Sequence, residues 1–416
     1  MKLPSRFKIL TLRDLRFVFS ATLVSRLGDG VTKVALAYAV LHLTHGSATD
    51  VGIVIAAQIV AQVSVVLISG VVADRSSRRL VMMAADLTRF AAQGAIAVLL
   101  LTHSATLALV IVSQVLVGAG TGFFDPASNG LLPAVAGDYL HEANALMGIA
   151  RAGALFVGPA IGGVLVVAFG PSEALLVDAA SYGLSALCLA CVSAAAGTAH
   201  RDEGAEPEGF IAELKGGFRE TVSRTWVWAI IVGLGGMNAL YSSWEVLGPK
   251  ICQAFYGGAG AFALMTSLWG IGTLCGGALL LRFKPKHPLR LGVTMCIPLT
   301  IPMGLMSLHV PLWVPAPIQL IAGLGPAMFN ALWWTALQQN IPKQAISRVI
   351  AYDYAGSYGL TPIGMAVAGP VAALVGLAPA LGMFAAAGLL VNGITLLVPS
   401  VRNLTAPAAQ ADIVEA

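Results

Sequence analysis

Apolar residues run through this chain in long blocks, each interrupted by short polar breaks. Twelve blocks reach the length that crosses a bilayer as a helix, about 20 residues. They lie near 16–42, 48–73, 80–101, 105–127, 144–169, 174–196, 226–249, 259–282, 289–309, 313–336, 347–373 and 378–399. Their lengths predict membrane helices rather than buried core helices. One polar stretch is long. Residues 197–225 contain His200, Arg201, Asp202, Glu203 and Pro207, and within them Phe210, Ile211, Leu214, Phe218 and Val222 fall on one helical face. That pattern predicts a short amphipathic helix on the membrane surface, tethering two bundles. The expected domains are a six-helix bundle over 1–196, a linker over 197–225, a second bundle over 226–400 and a tail over 401–416.

The two halves echo each other. Gly118, Gly120, Phe124 and Asp125 in span four line up with Gly323, Gly325, Phe329 and Asn330 in span ten, at a constant offset of 205. Pro159 and Gly162 of span five correspond to Pro362 and Gly364 of span eleven. Duplicated parallel halves predict two bundles that rock about a site near the midplane.

Composition sharpens the class. Of 416 residues, 57% are hydrophobic and 11% charged, and the mean hydropathy is +0.83; an ordinary soluble domain has about 25% charged residues. These values exclude a soluble enzyme, a disordered chain and a nucleic-acid binder. Sorting the basic residues by loop puts nineteen on one side and only Lys250 on the other, with Arg26, Lys33, Arg89 and Arg151 inside spans. The crowded side is therefore expected to be cytoplasmic, with both termini there, in a cell (inner or plasma) membrane. Arg26, Asp29 and Lys33 in the first apolar run argue against a cleaved signal core. Cys188 and Cys191 form a C-x-x-C without a second pair or a nearby His, so packing rather than a metal or redox role is expected. There is no P-loop, no H-E-x-x-H and no G-x-S-x-G, and the loops leave no room for a catalytic domain. No enzyme activity and no cofactor are expected; uphill movement would draw on an ion gradient.

The loop after span two reads Gly70-Val71-Val72-Ala73-Asp74-Arg75-Ser76-Ser77-Arg78-Arg79. It resembles the cytoplasmic loop motif G-x-x-x-D-R-x-G-R-R of the major facilitator superfamily, with Ser77 where the second glycine stands. Further stretches are similar to the twelve-span drug/proton antiporter branch that contains macrolide-efflux proteins and the enterobactin exporter. They include Gly122-Phe123-Phe124-Asp125-Pro126, Gly158-Pro159-Ala160-Ile161-Gly162-Gly163, Asp178-Ala179-Ala180-Ser181-Tyr182 and Asn340-Ile341-Pro342. The resemblance runs from about residue 15 to 399. It implies an all-α polytopic fold of twelve transmembrane helices in two pseudo-symmetric six-helix bundles, acting as a monomer. It also implies a conformational gate of Gly70, Asp74, Arg75, Arg78 and Arg79, with Asp125 as the carboxylate partner of the arginines. Gly158, Pro159, Gly162 and Gly163 match the antiporter motif of span five, with Ala154 in place of a further glycine. Their physical meaning is close helix contact and a bend.

Nine ionisable groups fall inside the spans: Arg26, Asp29, Lys33, Asp86, Arg89, Arg151, Asp178, Glu245 and Asp353. Each costs about 2.5–3.5 kcal/mol at a helix centre, so they must be paired, wet or functional. Arg26, Asp29 and Lys33 share one face of span one, and Asp29 lies near mid-depth. It is the first candidate for proton coupling, provided that one of its two cations swings away. Glu245 and Asp353 are the alternatives, and Asp86–Arg89 reads as a structural pair. Phe123, Phe124, Asn238, Tyr241, Phe329, Asn330, Trp333, Trp334 and Gln338 are candidates for the substrate pocket, because aromatic walls with a few amides suit a bulky amphipathic solute. Interfacial placement is the other reading of the tryptophans. The expected function is a secondary exporter of lipophilic small molecules (drug, macrolide or siderophore-like) by proton antiport with alternating access. A proton-coupled importer or facilitator, and a non-transporting receptor or scaffold, are the alternatives.

Overall fold

A computed structural model describes residues 12–193, 218–280 and 285–405. Among them the chain is helical and has no strand. The first half contains α1 (Arg13–Leu43), α2 (Ala48–Arg75), α3 (Arg78–Leu101), α4 (Leu107–Ala136), α5 (Leu140–Ala168) and α6 (Pro171–Ala190). The second contains α7 (Thr225–Phe255), α8 (Ala259–Leu280), α9 (Pro288–Cys296), α10 (Ile301–Ser307), α11 (Pro315–Asn340), α12 (Lys343–Tyr358), α13 (Thr361–Val375), α14 (Leu377–Leu397) and the short α15 (Pro399–Arg402). Two passes are broken. A 3₁₀ turn, Ile297–Thr300, joins α9 to α10 around Pro298 and Pro302. Pro362 opens α13 and has no N–H to donate to the Tyr358 carbonyl four residues back, where α12 stops. Counting each broken pair once gives twelve passes.

Among the described residues, ten stretches are long and apolar enough to cross a membrane. The other two passes are α1 and α7, each of 31 residues. Arg26, Asp29 and Lys33 interrupt the first, and Asn238, Tyr241, Ser242, Ser243 and Glu245 dilute the second. At 1.5 Å per residue either helix is about 46 Å long, ample for a hydrocarbon core of about 30 Å. Large apolar side chains remain exposed on the helices, among them Val112, Val164, Val167, Leu187, Leu374, Leu390 and Leu397. Lipid covers such a surface.

Two compact units form. One holds α1–α6 and residues 257–267, which include the start of α8; the other holds α7, the rest of α8 and the helices from α9 on. The linker helix expected over 210–222 falls largely on residues 194–217, which lie outside the described residues; residues 218–223 are helical.

Each unit uses glycine at equivalent places. A Cβ on Gly118 would strike the Gln58 backbone of α2, and one on Gly120 the Arg89 side chain and the Ala85 carbonyl of α3. Gly323 stands in the same way against Trp269 of α8, and Gly325 against Met295 of α9. Single glycines at φ +115° (Gly170) and φ +95° (Gly376) turn α5 into α6 and α13 into α14; side chains are disfavoured in that region. The helix pairs α2–α4, α3–α4, α1–α5, α1–α6 and α3–α6 build the first unit. In the second, α7 packs on α12, α13 and α14, and α9 on α11.

Some ends differ from the hydropathy reading. Span four runs to Ala136 instead of 127, since α4 absorbs Pro126 and Pro133 within the helix. Span six stops at Ala190 rather than 196. There Arg79 donates from Nε to the Leu189 carbonyl at 2.8 Å and from Nη2 to the Ala190 carbonyl at 2.7 Å. The Asp14 carboxylate accepts from the Ser193 backbone N–H at 3.1 Å.

Candidate functional site

The first unit holds a charge network whose α3 pair is buried and whose other members are half-buried. Arg26 and Asp29 stand one turn apart on α1, Asp86 and Arg89 one turn apart on α3, and α4 contributes Phe124 and Asp125. Arg26 is hydrogen-bonded to Asp125, and its Nη1 lies 3.5 Å from Asp29. Arg89, 1% exposed, is hydrogen-bonded to the fully buried Asp86, and its Nη1 is 3.9 Å from Asp29. The Arg89 guanidinium also lies 4.6 Å from the Phe124 ring centroid and 4.4 Å from that of Tyr182, within cation–π range. Gly120 makes room for this side chain, since a Cβ there would come within 2.7 Å of Arg89 Cγ. Hydroxyls of α6 complete the shell: Tyr182 donates to Asp29 at 2.7 Å and Ser185 to Asp86 at 2.6 Å. Two guanidiniums thus face three carboxylates, leaving one negative charge over when all are ionised.

Asp29 occupies the junction of this network, in reach of both arginines. Arg26 engages Asp125 more closely than Asp29. Asp125, which the loop motif pairs with its arginines, is hydrogen-bonded to Arg26, because α4 presents it to α1. Of the loop motif, Arg78 donates to the Gly130 carbonyl at 2.7 Å and Arg79 closes α6 as described. The side chains of Gly70, Asp74 and Arg75 lie outside the described residues. Lys33 is exposed, and Arg151 donates to Asn129 Oδ1 at 2.8 Å.

In the span-five motif, a Cβ on Gly158 would stand 2.7 Å from Gly30 Cα, and one on Gly162 2.8 Å from the Val31 carbonyl oxygen. A Cβ on Gly30 would lie 3.1 Å from Pro159 Cδ, and Gly163 faces Ala263. These small residues bring α5 against the α1 segment that carries the charges.

The second unit holds a cavity of about 310 Å³. Of the residues expected in a pocket, Asn238, Tyr241, Phe329 and Asn330 line it, and so does Glu245, the one charged side chain in the wall. Trp269, Met237, Met365, Tyr358, Thr361 and Asn392 were not expected. Both helix breaks contribute, with Cys296 and Leu299 beside the first and Tyr358 and Thr361 beside the second. Asn392 donates to the Cys296 carbonyl at 3.2 Å, and Asn238 to the Ser357 carbonyl at 2.7 Å. Interrupted helices therefore shape this wall.

Five expected pocket residues are elsewhere. Trp333 is 1% exposed in the core, 5.7 Å from the Trp226 ring and 6.2 Å from that of Phe329. Its Nε1–H donates to Asp353 Oδ2 at 3.0 Å, and Ser357 donates to Oδ1 at 2.8 Å. Asp353 is thus enclosed by neutral donors and does not line the cavity. Trp334 packs on Tyr354 at 6.2 Å, Gln338 is exposed, and Phe124 serves as the face for Arg89. Phe123 packs against the core of the first unit. The sequence reading also passed over Tyr182 and Ser185. Their spacing from Asp178, i+4 and i+7 in an apolar helix, is the signal that marks one polar face.

Comparison with known proteins agrees with this architecture. The family model described as Major Facilitator Superfamily matches residues 18–365. "Multidrug efflux pump Tap" of Mycolicibacterium fortuitum is 28% identical over 404 residues, covering 94% of this chain and 97% of that protein. Its namesake in Mycobacterium tuberculosis is 28% identical over 415 residues, covering 95% and 96%. Among solved structures, the nucleoside transporter NupG superposes with TM-score 0.76 at 12% identity, over 92% of this chain and 98% of that one. A bacterial homologue of the iron transporter ferroportin gives TM-score 0.74 at 15% identity, over 92% and 98%. At those identities the structural likeness speaks for the fold alone.

Proposed function

This chain belongs to the major facilitator superfamily, a family of membrane transporters rather than enzymes, and on that premise we propose that it exports lipophilic or amphipathic small molecules in exchange for protons. The observation that carries the reading is a separation of tasks. The first unit holds a partly buried, unbalanced carboxylate–guanidinium network, and the second offers a cavity walled by aromatic, thioether and amide groups. A site of about 310 Å³ with a mainly apolar wall suits a bulky organic solute better than an inorganic ion. Glu245 in that wall favours solutes that carry a positive charge, which the surrounding aromatic faces also attract. Relatives called multidrug efflux pumps, aligned over nearly the whole length, support outward transport of such solutes.

Asp29 is the coupling carboxylate in this reading. A proton on Asp29 neutralises the surplus negative charge and leaves Arg26 to Asp125 and Arg89 to Asp86. Loss of the proton returns Asp29 to the arginines, whose two positions supply a bistable element. The proton gradient drives the cycle without a bound cofactor. The protein works as a monomer in the plasma membrane, with both termini in the cytoplasm.

Ethidium accumulation in cells lacking their own efflux pumps tests this. Wild type lowers accumulation, a protonophore abolishes the effect, and Asp29→Asn does the same without loss of protein from the membrane. Raised accumulation would identify an importer. Export that persists in Asp29→Asn and still answers to the protonophore would move coupling to Glu245 or Asp353.

A further inference from the structure

One buried carboxylate of the first unit takes no part in the arginine network. Asp178 of α6 is fully buried and has no ion-pair partner among the described residues. The titratable groups that act on it are Asp29 of α1, Arg89 of α3 and Tyr182 on its own helix. Its Oδ2 accepts from Thr32 Oγ1 of α1 at 2.6 Å. Behind Thr32 stands a file of neutral donors, each aimed the same way. Gln93 Nε2 of α3 donates to Thr32 Oγ1 at 3.1 Å, and Gln114 Nε2 of α4 donates to Gln93 Oε1 at 3.0 Å. Three helices thus direct a polarised chain of hydrogen bonds at one carboxylate on a fourth.

The other oxygen is placed differently. Asp178 Oδ1 and the Ser181 Oγ one turn away are both buried without a hydrogen-bond partner. Both crowd the same backbone position, since a Cβ on Gly28 would collide with each. A proton on Oδ1 removes the cost of an ionised acceptor left without a donor in a dry site. Oδ2 already has its donor in Thr32, so the geometry singles out Oδ1 as the oxygen for the proton.

Asp178 also belongs to a ladder. On α6, positions 178, 182 and 185 lie on one face and span about 10 Å of helix rise. The face meets Asp178 with Thr32, Asp29 with Tyr182, and Asp86 with Ser185. We propose that Asp178 is a second proton-binding site of this transporter, separate from Asp29, which gains a proton from water and returns it during the cycle. The proposal rests on proton-driven transport as read above. It adds one protonation step, carboxylate plus proton to carboxylic acid, in which no covalent bond to carbon is altered.

Infrared difference spectra of the full-length protein in lipid nanodiscs, taken between about pH 5 and pH 9, give the test. A carboxylic C=O band that appears on acidification, survives Asp29→Asn and shifts in Thr32→Val is the expected result. Absence of any acid-induced band with both properties would overturn the proposal, and this arm needs no substitution at Asp178. In proteoliposomes, Asp178→Asn keeps the neutral hydrogen-bonding shape and is expected to lose part of the proton counterflow per ethidium moved. Counterflow and efflux equal to wild type would assign Asp178 a purely structural place and overturn the proposal too. Wild-type efflux that ignores a protonophore would instead defeat the transport reading, while the infrared result still decides whether Asp178 takes up a proton.

Discussion

Arg26 of α1 and Asp125 of α4 form an ion pair across 99 positions of sequence, while the same guanidinium keeps Asp29 within 3.5 Å. One cation thereby serves two carboxylates from different helices. A charge so placed can move by a side-chain rotation, with no change of backbone, which is what a proton-dependent switch needs.

Replacement of Arg26 by Gln should therefore uncouple rather than unfold. Arg26→Gln leaves Asp29 and Asp125 without their shared partner, and proton-driven ethidium efflux is expected to fall at least about tenfold, the equivalent of roughly 1.4 kcal/mol. Arg26→Lys keeps the charge but not the forked geometry, and an intermediate rate is expected. Full activity in Arg26→Gln at normal membrane abundance would remove this residue from the coupling scheme.

Arg89 should behave in the opposite way. It is 1% exposed and its partner Asp86 is fully buried, so removing the cation strands a carboxylate. Breaking a buried pair from one side costs about 3–5 kcal/mol. Arg89→Met is expected to lower the thermal midpoint of the purified protein by many degrees. The double variant Arg89→Met, Asp86→Leu should recover much of the loss, because neither member of the pair is then left as a stranded buried charge. Equal destabilisation in single and double variants would show that Arg89 matters through its ring contacts with Phe124 and Tyr182.

The α1–α5 seam offers a steric comparison. Gly30 and Gly158 approach so closely that a Cβ on the first would lie 2.8 Å from the Cα of the second, whereas a Cβ on Gly148 of the same α5 would meet nothing within 4 Å. Gly30→Ala is expected to cost about 1–3 kcal/mol through overpacking. Gly148→Ala should be neutral or stabilising by roughly 0.5–1 kcal/mol, the helix preference of alanine over glycine. Thermal melts of the two variants, measured side by side, check the difference.

The architecture was legible because the bilayer imposes one signal everywhere. Apolar runs of span length and the 205-residue echo need no knowledge of contacts. The Arg26–Asp29 register was legible too, since i and i+3 share a helix face. What escaped was the choice of partner between helices. The motif names Asp125 only as a partner of the loop arginines, and its bond to Arg26, set by the rotation of α4 toward α1, could not be read from it. Trp333 looked like a pocket wall because aromatic residues in membrane helices suggest one. Its neighbour in space, Asp353, lies twenty positions away and claims the indole N–H. Tyr182 and Ser185 carried no charge and so drew no attention, although the carboxylates they serve cannot be understood without them. Hydropathy reads how deep a residue lies. It does not read which way the residue faces.

That difference in facing separates two aromatic residues one turn apart on α11, and it yields the last prediction. Phe329 lines the cavity, while Trp333 is sealed behind it and donates to Asp353. Phe329→Ala removes part of the wall and should change the order of preference among efflux substrates, read as drug tolerance across a panel, and because Phe329 is only 3% exposed the melting midpoint should fall as well. Trp333→Phe preserves the packing volume nearly and deletes one donor, leaving Asp353 Oδ2 without its partner. The cost should be about 1–3 kcal/mol of stability, with the order of substrate preference unchanged. Glu245→Gln adds the charge dimension: it keeps the size of the wall and removes its one charged group. Efflux of cationic compounds should then fall relative to neutral ones of the same bulk. If all three variants instead reduce every substrate in proportion, the cavity of the second unit is a consequence of its broken helices and not the place where the solute binds.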